Sequence, residues 1–263
     1  MCRHLAYLGP PVNLRALLFD PPYSLVRQSW QPRDMRGGGT INADGFGVGW
    51  YPGGHDPVCY RRARPIWGDR TLPALAEVTT AGAVLAAVRS ATVGMAVQEG
   101  AAAPFAEGRW LFSHNGVVRG WPDSVVPLAA ALPVRDLLTL DAPTDSALLW
   151  ALLRHRLRAG ADPAEAVAAT VTEVAEHAPA SRLNVLLTDG RTVVATAIGH
   201  ALSVRATSGA VVLASEPYDD DPAWQPVPDG QLVVATPTVV RTRAVGVTAG
   251  WSQDISANGR GHP

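Results

Sequence analysis

The chain predicts an α+β fold built on antiparallel sheets, and three observations carry that expectation. Strand-like segments gather on both sides of a pair of consecutive helices rather than alternating with helices one by one. Connections between neighbouring strands are short, and Asp189-Gly190 between two of them has the composition of a hairpin turn. The two helices carry their own start and stop signals, which predicts an antiparallel pair packed as one layer.

Each element follows from local chemistry. Asn13 can cap a short helix over residues 14–19, which Pro21-Pro22 stops. A strand is predicted over 46–51. Asp69 can cap a helix that ends before Gly82, and strands follow over 83–89 and 110–113. Asp145 is placed to cap a long helix that runs to about residue 159 and closes on Gly160. Asp162 as cap, Pro163 in the first turn and Glu165 at the third helical position predict a capping box for the next helix. Further strands are predicted over 183–188, 193–198, 211–214, 232–236 and 239–247. The polar, Gly-rich tail from about residue 252 is expected to fray.

Composition narrows the function classes. With 263 residues, 47% of them hydrophobic, the chain can fill a substantial core, and no composition break divides it, so a single domain over 1–263 is expected. Twenty-two basic residues against 23 acidic ones leave no footprint for nucleic acid. Pro127 and Pro133 interrupt the longest apolar run, and no basic region followed by an apolar stretch opens the chain, so a cytoplasmic protein with no membrane partner is expected. Cys2 and Cys59 are the two cysteines, which excludes a disulfide framework and a Cys-based zinc site. Cys59 reads as a small buried hydrophobe. The seven histidines lack ligand spacing and Asp219-Asp220-Asp221 reads as a solvated loop, so neither metal nor cofactor is expected.

Catalytic chemistry is suggested first by Cys2, directly behind Met1. Removal of Met1 would put a thiol and a free α-amine on one residue. An α-amine, with a reference pKa of ~7.7–8.0 against ~8.5 for a thiol, can take the thiol proton near neutral pH without a partner histidine. A thiol attacking an amide needs donors for the oxyanion, and Phe112-Ser113-His114-Asn115-Gly116 offers the Asn115 side-chain amide and the Gly116 N–H at a strand end. Taken alone, however, Asn115-Gly116 reads as a tight turn. Arg89 ends an apolar strand in Val88-Arg89-Ser90-Ala91-Thr92 and can hold a carboxylate bidentately, while an internal ion pair is the ordinary alternative. Asp145 can bind an ammonium or cap its helix. Together Arg89 and Asp145 would match the two charges of a free amino acid head.

These segments, with Asn42-Ala43-Asp44-Gly45-Phe46-Gly47-Val48-Gly49-Trp50 and Thr144-Asp145-Ser146, stand in an order that resembles the class II glutamine amidotransferases. The resemblance implies the N-terminal nucleophile hydrolase fold, a four-layer αββα sandwich of two antiparallel sheets between helical layers. It implies that Cys2 is the nucleophile and that Asn115 and Gly116 form the oxyanion hole. Arg89, Asp145, Ser90 and His114 become the residues binding a glutamyl group. Within the family, Met1-Cys2-Arg3-His4-Leu5-Ala6-Tyr7-Leu8-Gly9, Ser113-His114-Asn115-Gly116-Val117-Val118 and Ser215-Glu216-Pro217-Tyr218 look like the branch that hydrolyses γ-glutamyl hercynylcysteine S-oxide in ergothioneine biosynthesis.

Ala87 and Ala103 depart from the wider family, where a histidine is common at both places. The length leaves no segment to use released ammonia, which favours a stand-alone hydrolase of a small γ-glutamyl substrate. A glutaminase subunit serving a separate synthase, a hydrolase of another γ-glutamyl amide, and a non-catalytic binding domain remain the alternatives. Trp30 or Trp67 could attract a quaternary ammonium, although packing is the ordinary role for each.

Overall fold

A strand that the sequence does not announce organises the molecule. In the computed structural model, which describes residues 2–35, 41–53, 56–246 and 253–254, β1 (Arg3–Asn13) lies at the middle of a seven-stranded antiparallel sheet. It pairs with β4 (Thr80–Val88), placing Arg3 opposite Val88, and with β10 (Ala210–Ala214), placing Leu5 opposite Ala214. Beyond β4 lie β2 (Phe46–Trp50) and β3 (Val58–Arg62); beyond β10 lie β9 (Ser203–Thr207) and β11 (Trp224–Pro226).

The second sheet also has seven strands. It runs from β5 (Phe105–Glu107) through β6 (Trp110–Val117), β7 (Arg182–Thr188), β8 (Val193–Ala197) and β12 (Gln231–Ala235) to β13 (Val240–Ala244) and β14 (Gln253–Asp254). Neighbouring strands are antiparallel in both sheets.

Three apolar layers hold the sheets in register. Ala6, Leu8 and Leu85 of the first sheet face Leu186, Ala195 and Val233 of the second. On the outer face of the first, Leu5, Phe46 and Val48 pack against Leu14, Leu17 and Leu72 from α1 (Leu14–Leu18) and α3 (Leu72–Val78), with α2 (Leu25–Gln28) beside them. On the outer face of the second, Phe112, Val185 and Leu187 meet Trp150 and Leu153, and Val167 and Val171 complete that core. Two helices between β6 and β7 supply those partners, and they are the predicted pair; Phe112 and Trp150 stack at 5.5 Å between ring centres. The expected αββα sandwich is the observed one. Among the described residues no helix is long and apolar enough to cross a membrane.

Several local expectations are corrected. With α4 (Val126–Ala130) and α5 (Val134–Leu138) preceding them, the paired helices are α6 (Asp145–Arg158) and α7 (Pro163–His177). Thr144, not Asp145, is the N-cap of α6, because its hydroxyl accepts from Ala147 N at 3.3 Å and leaves the Asp145 carboxylate free to reach elsewhere. Asp162 caps α7 as expected, but Glu165 turns outward to Arg243 at 2.7 Å instead of closing the capping box. Asp69 serves α3 from outside the helix, its Oδ1 accepting from Thr71 N and Leu72 N at 2.9 and 2.7 Å. β6 runs on to Val117, so Asn115-Gly116 is extended strand and not a turn, opposite Asn184 and Leu183 of β7. Cys59 is half-buried, and burial pushes its thiol up to about 11. The tail predicted to fray lies, apart from Gln253–Asp254, outside the described residues.

Candidate active site

Cys2 sits where β1 begins, and the sheet fixes its position. Its Sγ donates to the Ser90 carbonyl at 3.6 Å, just past the end of β4. Directly behind it Arg3 is 1% exposed, donating from Nη1 to the Cys2 carbonyl at 3.0 Å and from Nη2 to the Asp34 carbonyl. Its Nε lies 3.7 Å from Glu216 Oε2. Burial lowers the Arg3 pKa, while Glu216 and Asp34 raise it. Glu216, itself 3% exposed, accepts from Arg33 N and Asp34 N at 2.9 and 2.8 Å. The start of β1 is thus clamped by a buried charge pair.

The second sheet brings Asn115 and Gly116 to the same place. Asn115 Nδ2 donates to Ser215 Oγ at 2.9 Å, and that hydroxyl also accepts from His4 N at 3.0 Å. One serine therefore ties the amide on β6 to the strand that presents Cys2. The second N–H of Asn115 is uncommitted, and its Oδ1 is buried without a partner. Position 116 admits only glycine, since a Cβ there would lie 1.8 Å from the Arg182 carbonyl oxygen and 2.6 Å from His114 Nε2. His4 is buried, with Nδ1 3.0 Å from Ser113 Oγ. Burial, then the neighbouring His114, His200 and Arg3, hold its pKa well below the usual histidine value, so it stays neutral.

Of the remaining predicted residues, Arg89 and His114 line a narrow cleft of about 320 Å³ together with Cys2, Ala87, Ala103 and Ser146 among others. Asp44 builds its rim by accepting from Ala91 N at 2.8 Å, while Arg89 N donates to Gly45 O at 2.7 Å. Arg89 Nη1 donates to Ala96 O at 2.9 Å, and the guanidinium has no carboxylate partner among the described residues. Asp145 is 4% exposed; its oxygens accept from Val118 N at 3.0 Å and Ser146 N at 2.7 Å, and among the described residues no cation pairs with it. His114 Nε2 lies 2.9 Å from the Arg182 carbonyl and Nδ1 2.9 Å from Ser146 Oγ. The carbonyl can only accept, so Nε2 carries a proton and donates it there.

The structure therefore gathers Cys2, Arg89 and His114 into one cleft, with Ser90 contributing its carbonyl, Asn115 and Gly116 on the adjoining strand, and Asp145 next to Ser146. Ala87 and Ala103 both line this cleft, so the two departures from the family pattern widen it with methyl groups where larger polar rings would stand. Ser215, Ser146 and Asp44 were missed as site-building residues. Ser215 had a signal, the Ser215-Glu216-Pro217-Tyr218 motif, but nothing along the chain says that it meets Asn115. Trp30 and Trp67 stand edge to face at 5.7 Å and line none of this cleft.

The family model for class II glutamine amidotransferases matches residues 12–208. The chain is 44% identical over 234 residues to the gamma-glutamyl-hercynylcysteine sulfoxide hydrolase of Mycolicibacterium smegmatis, covering 89% of this chain and 95% of that protein. The enzyme of the same name from Mycobacterium tuberculosis strain H37Rv is 41% identical over 237 residues, with 90% and 93% covered. Among solved structures, a glutamine aminotransferase class-II domain protein from Silicibacter pomeroyi superposes with a TM-score of 0.67 at 24% identity, over 94% of this chain and all of that one. Glutamine phosphoribosylpyrophosphate amidotransferase from B. subtilis gives 0.68 at 14% identity, over 94% of this chain and 50% of that one. At these identities the two structures speak to the fold alone.

Proposed function

As the chain belongs to the class II glutamine amidotransferases, we propose that it hydrolyses the γ-glutamyl amide of γ-glutamyl-hercynylcysteine sulfoxide, a step of ergothioneine biosynthesis. The relatives bearing that activity in their names support the substrate, since they match along about nine-tenths of both chains. The observation that carries the chemistry is that Cys2 and Arg89 line one cleft whose wall includes Ser146, the neighbour of the buried Asp145, so that Arg89 and Asp145 would complement the α-carboxylate and α-ammonium of a glutamyl head. Residues from both sheets are needed for this site, which supports one catalytic unit spanning residues 1–263.

With Met1 removed, the Cys2 α-amine takes the thiol proton and Sγ attacks the γ-carbonyl carbon. The developing oxyanion accepts from the uncommitted Asn115 N–H and from Gly116 N–H. As the tetrahedral intermediate collapses, the C–N bond breaks and the ammonium returns its proton to the leaving amine. Water, deprotonated by the same α-amine, then cleaves the thioester to give glutamate, freeing Cys2. The co-product is hercynylcysteine sulfoxide. Neither metal nor cofactor enters these steps, and a reaction needing a reduced thiol suits the cytoplasm.

The test is glutamate release measured in parallel from the sulfoxide, its thioether analogue, glutamine and glutathione. The sulfoxide should be turned over with the highest kcat/KM. Preference for glutamine would replace this reading with that of a glutaminase.

A further inference from the structure

Arg182 is the residue near Cys2 that these steps leave unused. It opens β7, opposite Val117 and one position beyond the Asn115-Gly116 pair. Its carbonyl anchors His114, while its side chain runs past Gly199, whose Cβ, if present, would lie 3.1 Å from Arg182 Cγ. Its Nε is buried without a hydrogen-bond partner, and its guanidinium meets no carboxylate among the described residues. Arg119, three residues past Gly116, is exposed and likewise unpaired among the described residues; its backbone N donates to Ser181 Oγ at 2.9 Å. Burial and then the like charge of Arg119 lower the Arg182 pKa, whereas Cys2 raises it. By contrast, Arg33, Arg154, Arg156, Arg158, Arg205 and Arg243 each lie against a carboxylate.

We propose that Arg182, supported by Arg119, binds the α-carboxylate of the amino acid whose amine leaves, and so selects γ-glutamyl amino acids over glutamine. The inference rests on the γ-glutamyl hydrolase reading of the site. With the glutamyl head held toward Arg89 and the oxyanion toward Asn115 and Gly116, the leaving group must point away from both. The start of β7 flanks Gly116 and His114: the Arg182 carbonyl would lie 1.8 Å from a Cβ at position 116 and stands 2.9 Å from His114 Nε2. In a γ-glutamyl amino acid the leaving residue's carboxyl carbon is only about 2.5 Å from the scissile nitrogen, so a cation fixed next to the oxyanion donors is within its reach. Hercynylcysteine sulfoxide carries such a carboxylate on its cysteine portion, and ammonia carries nothing.

The simplest probe pair is γ-glutamylalanine and γ-glutamylethylamide, which differ only by that carboxylate. A second pair is γ-glutamyl-hercynylcysteine sulfoxide and its cysteine carboxamide. In each pair the wild type should favour the acid in kcat/KM, and Arg182→Ala should lower that acid-to-neutral ratio roughly 10- to 100-fold, as expected for losing a charged partner in a half-buried contact. Arg119→Ala should lower it less, and Arg182→Lys should keep part of it. The ratio is taken within one preparation, so partial unfolding of a variant cancels. A wild-type ratio near one, or a ratio that survives both alanine substitutions, would overturn the assignment. Acid-selective hydrolysis of γ-glutamylalanine without hydrolysis of the sulfoxide would remove the proposed substrate and keep Arg182. Hydrolysis of the sulfoxide with Arg-independent ratios would do the reverse, and no glutamate from any of the four would remove both.

Discussion

Arg3 and Arg89 are near neighbours across the β1–β4 pairing, where Arg3 faces Val88, yet they are treated in opposite ways. Arg3 is sealed from solvent and surrounded by Glu216 and by the carbonyls of Cys2 and Asp34. Arg89 is half-buried, touches one carbonyl and faces a cleft. A charge removed from water needs compensation, and a charge left without it at a cleft wall is available to a ligand. The contrast separates residues that hold the site from residues that use it, and substitutions at the two kinds of position should fail differently.

The largest expected effect is at the proposed nucleophile: Cys2→Ala should abolish glutamate release while the thermal unfolding midpoint hardly moves, because only a half-buried sulfur is lost. Intact-mass analysis belongs beside it, since full activity with Met1 retained would end the α-amine mechanism. On the holding side, Glu216→Gln removes the carboxylate 3.7 Å from the buried Arg3 Nε and should cost about 3 to 5 kcal/mol of stability in denaturant unfolding. If stability is unchanged and only kcat falls, Arg3 and Glu216 belong on the using side and the comparison breaks. Asn115→Ala should lower kcat by about 100- to 1000-fold, the usual result of removing one oxyanion donor.

Arg89→Ala should lower kcat/KM about 30-fold, the low end for a lost charged partner, because the side chain is not fully desolvated. Asp145→Ala should act on the other charge of the same head group. Each loss should shrink on an analogue already lacking the matching substrate charge, whereas simple additivity would mean that these residues act on the fold.

The smallest effect sharpens the comparison through pH. Native His4 resists protonation, so as pH falls through the unfolded value near ~6.5 the unfolded chain takes up a proton that the native one refuses, and stability declines by up to ~1.4 kcal/mol per pH unit. Below the depressed native pKa that decline stops. His4→Gln should flatten the stability curve between pH 7.5 and 5.5, and an unchanged slope would show that His4 is not held neutral by its surroundings.

Much of this site was legible because catalysis demands particular atoms. A thiol, an amide beside a glycine, an Arg at a strand end and an Asp at a helix start stand out as residue types, and the fold brings them together. What was illegible is what tertiary structure decides. β1 escaped notice because Arg3 to Leu8 are all buried, so the alternation that marks a half-exposed strand is missing. Asn115-Gly116 has the local preference of a turn, and pairing with Asn184 and Leu183 overrides it. The capping role of Asp145 passed to Thr144 by a shift of one position, which freed the carboxylate to hold Val118 N. Arg182 had no motif at all; its meaning comes from standing unpaired beside Gly116.

The pairing of β1 also sets a timetable. During synthesis β4 arrives some seventy-five residues after β1, but β10 and Ser215 arrive only after some two hundred residues, near the far end of the chain. Until then one edge of the first strand has no neighbour, and Asn115 has no Ser215 to anchor it. Cys2 is therefore made well before the strands that complete its surroundings, since domains close only when their distant strands emerge. An aminopeptidase acting on the nascent chain would meet Met1-Cys2 before the sheet has closed around it, and the surroundings of Cys2 are complete only once Ser215 has emerged.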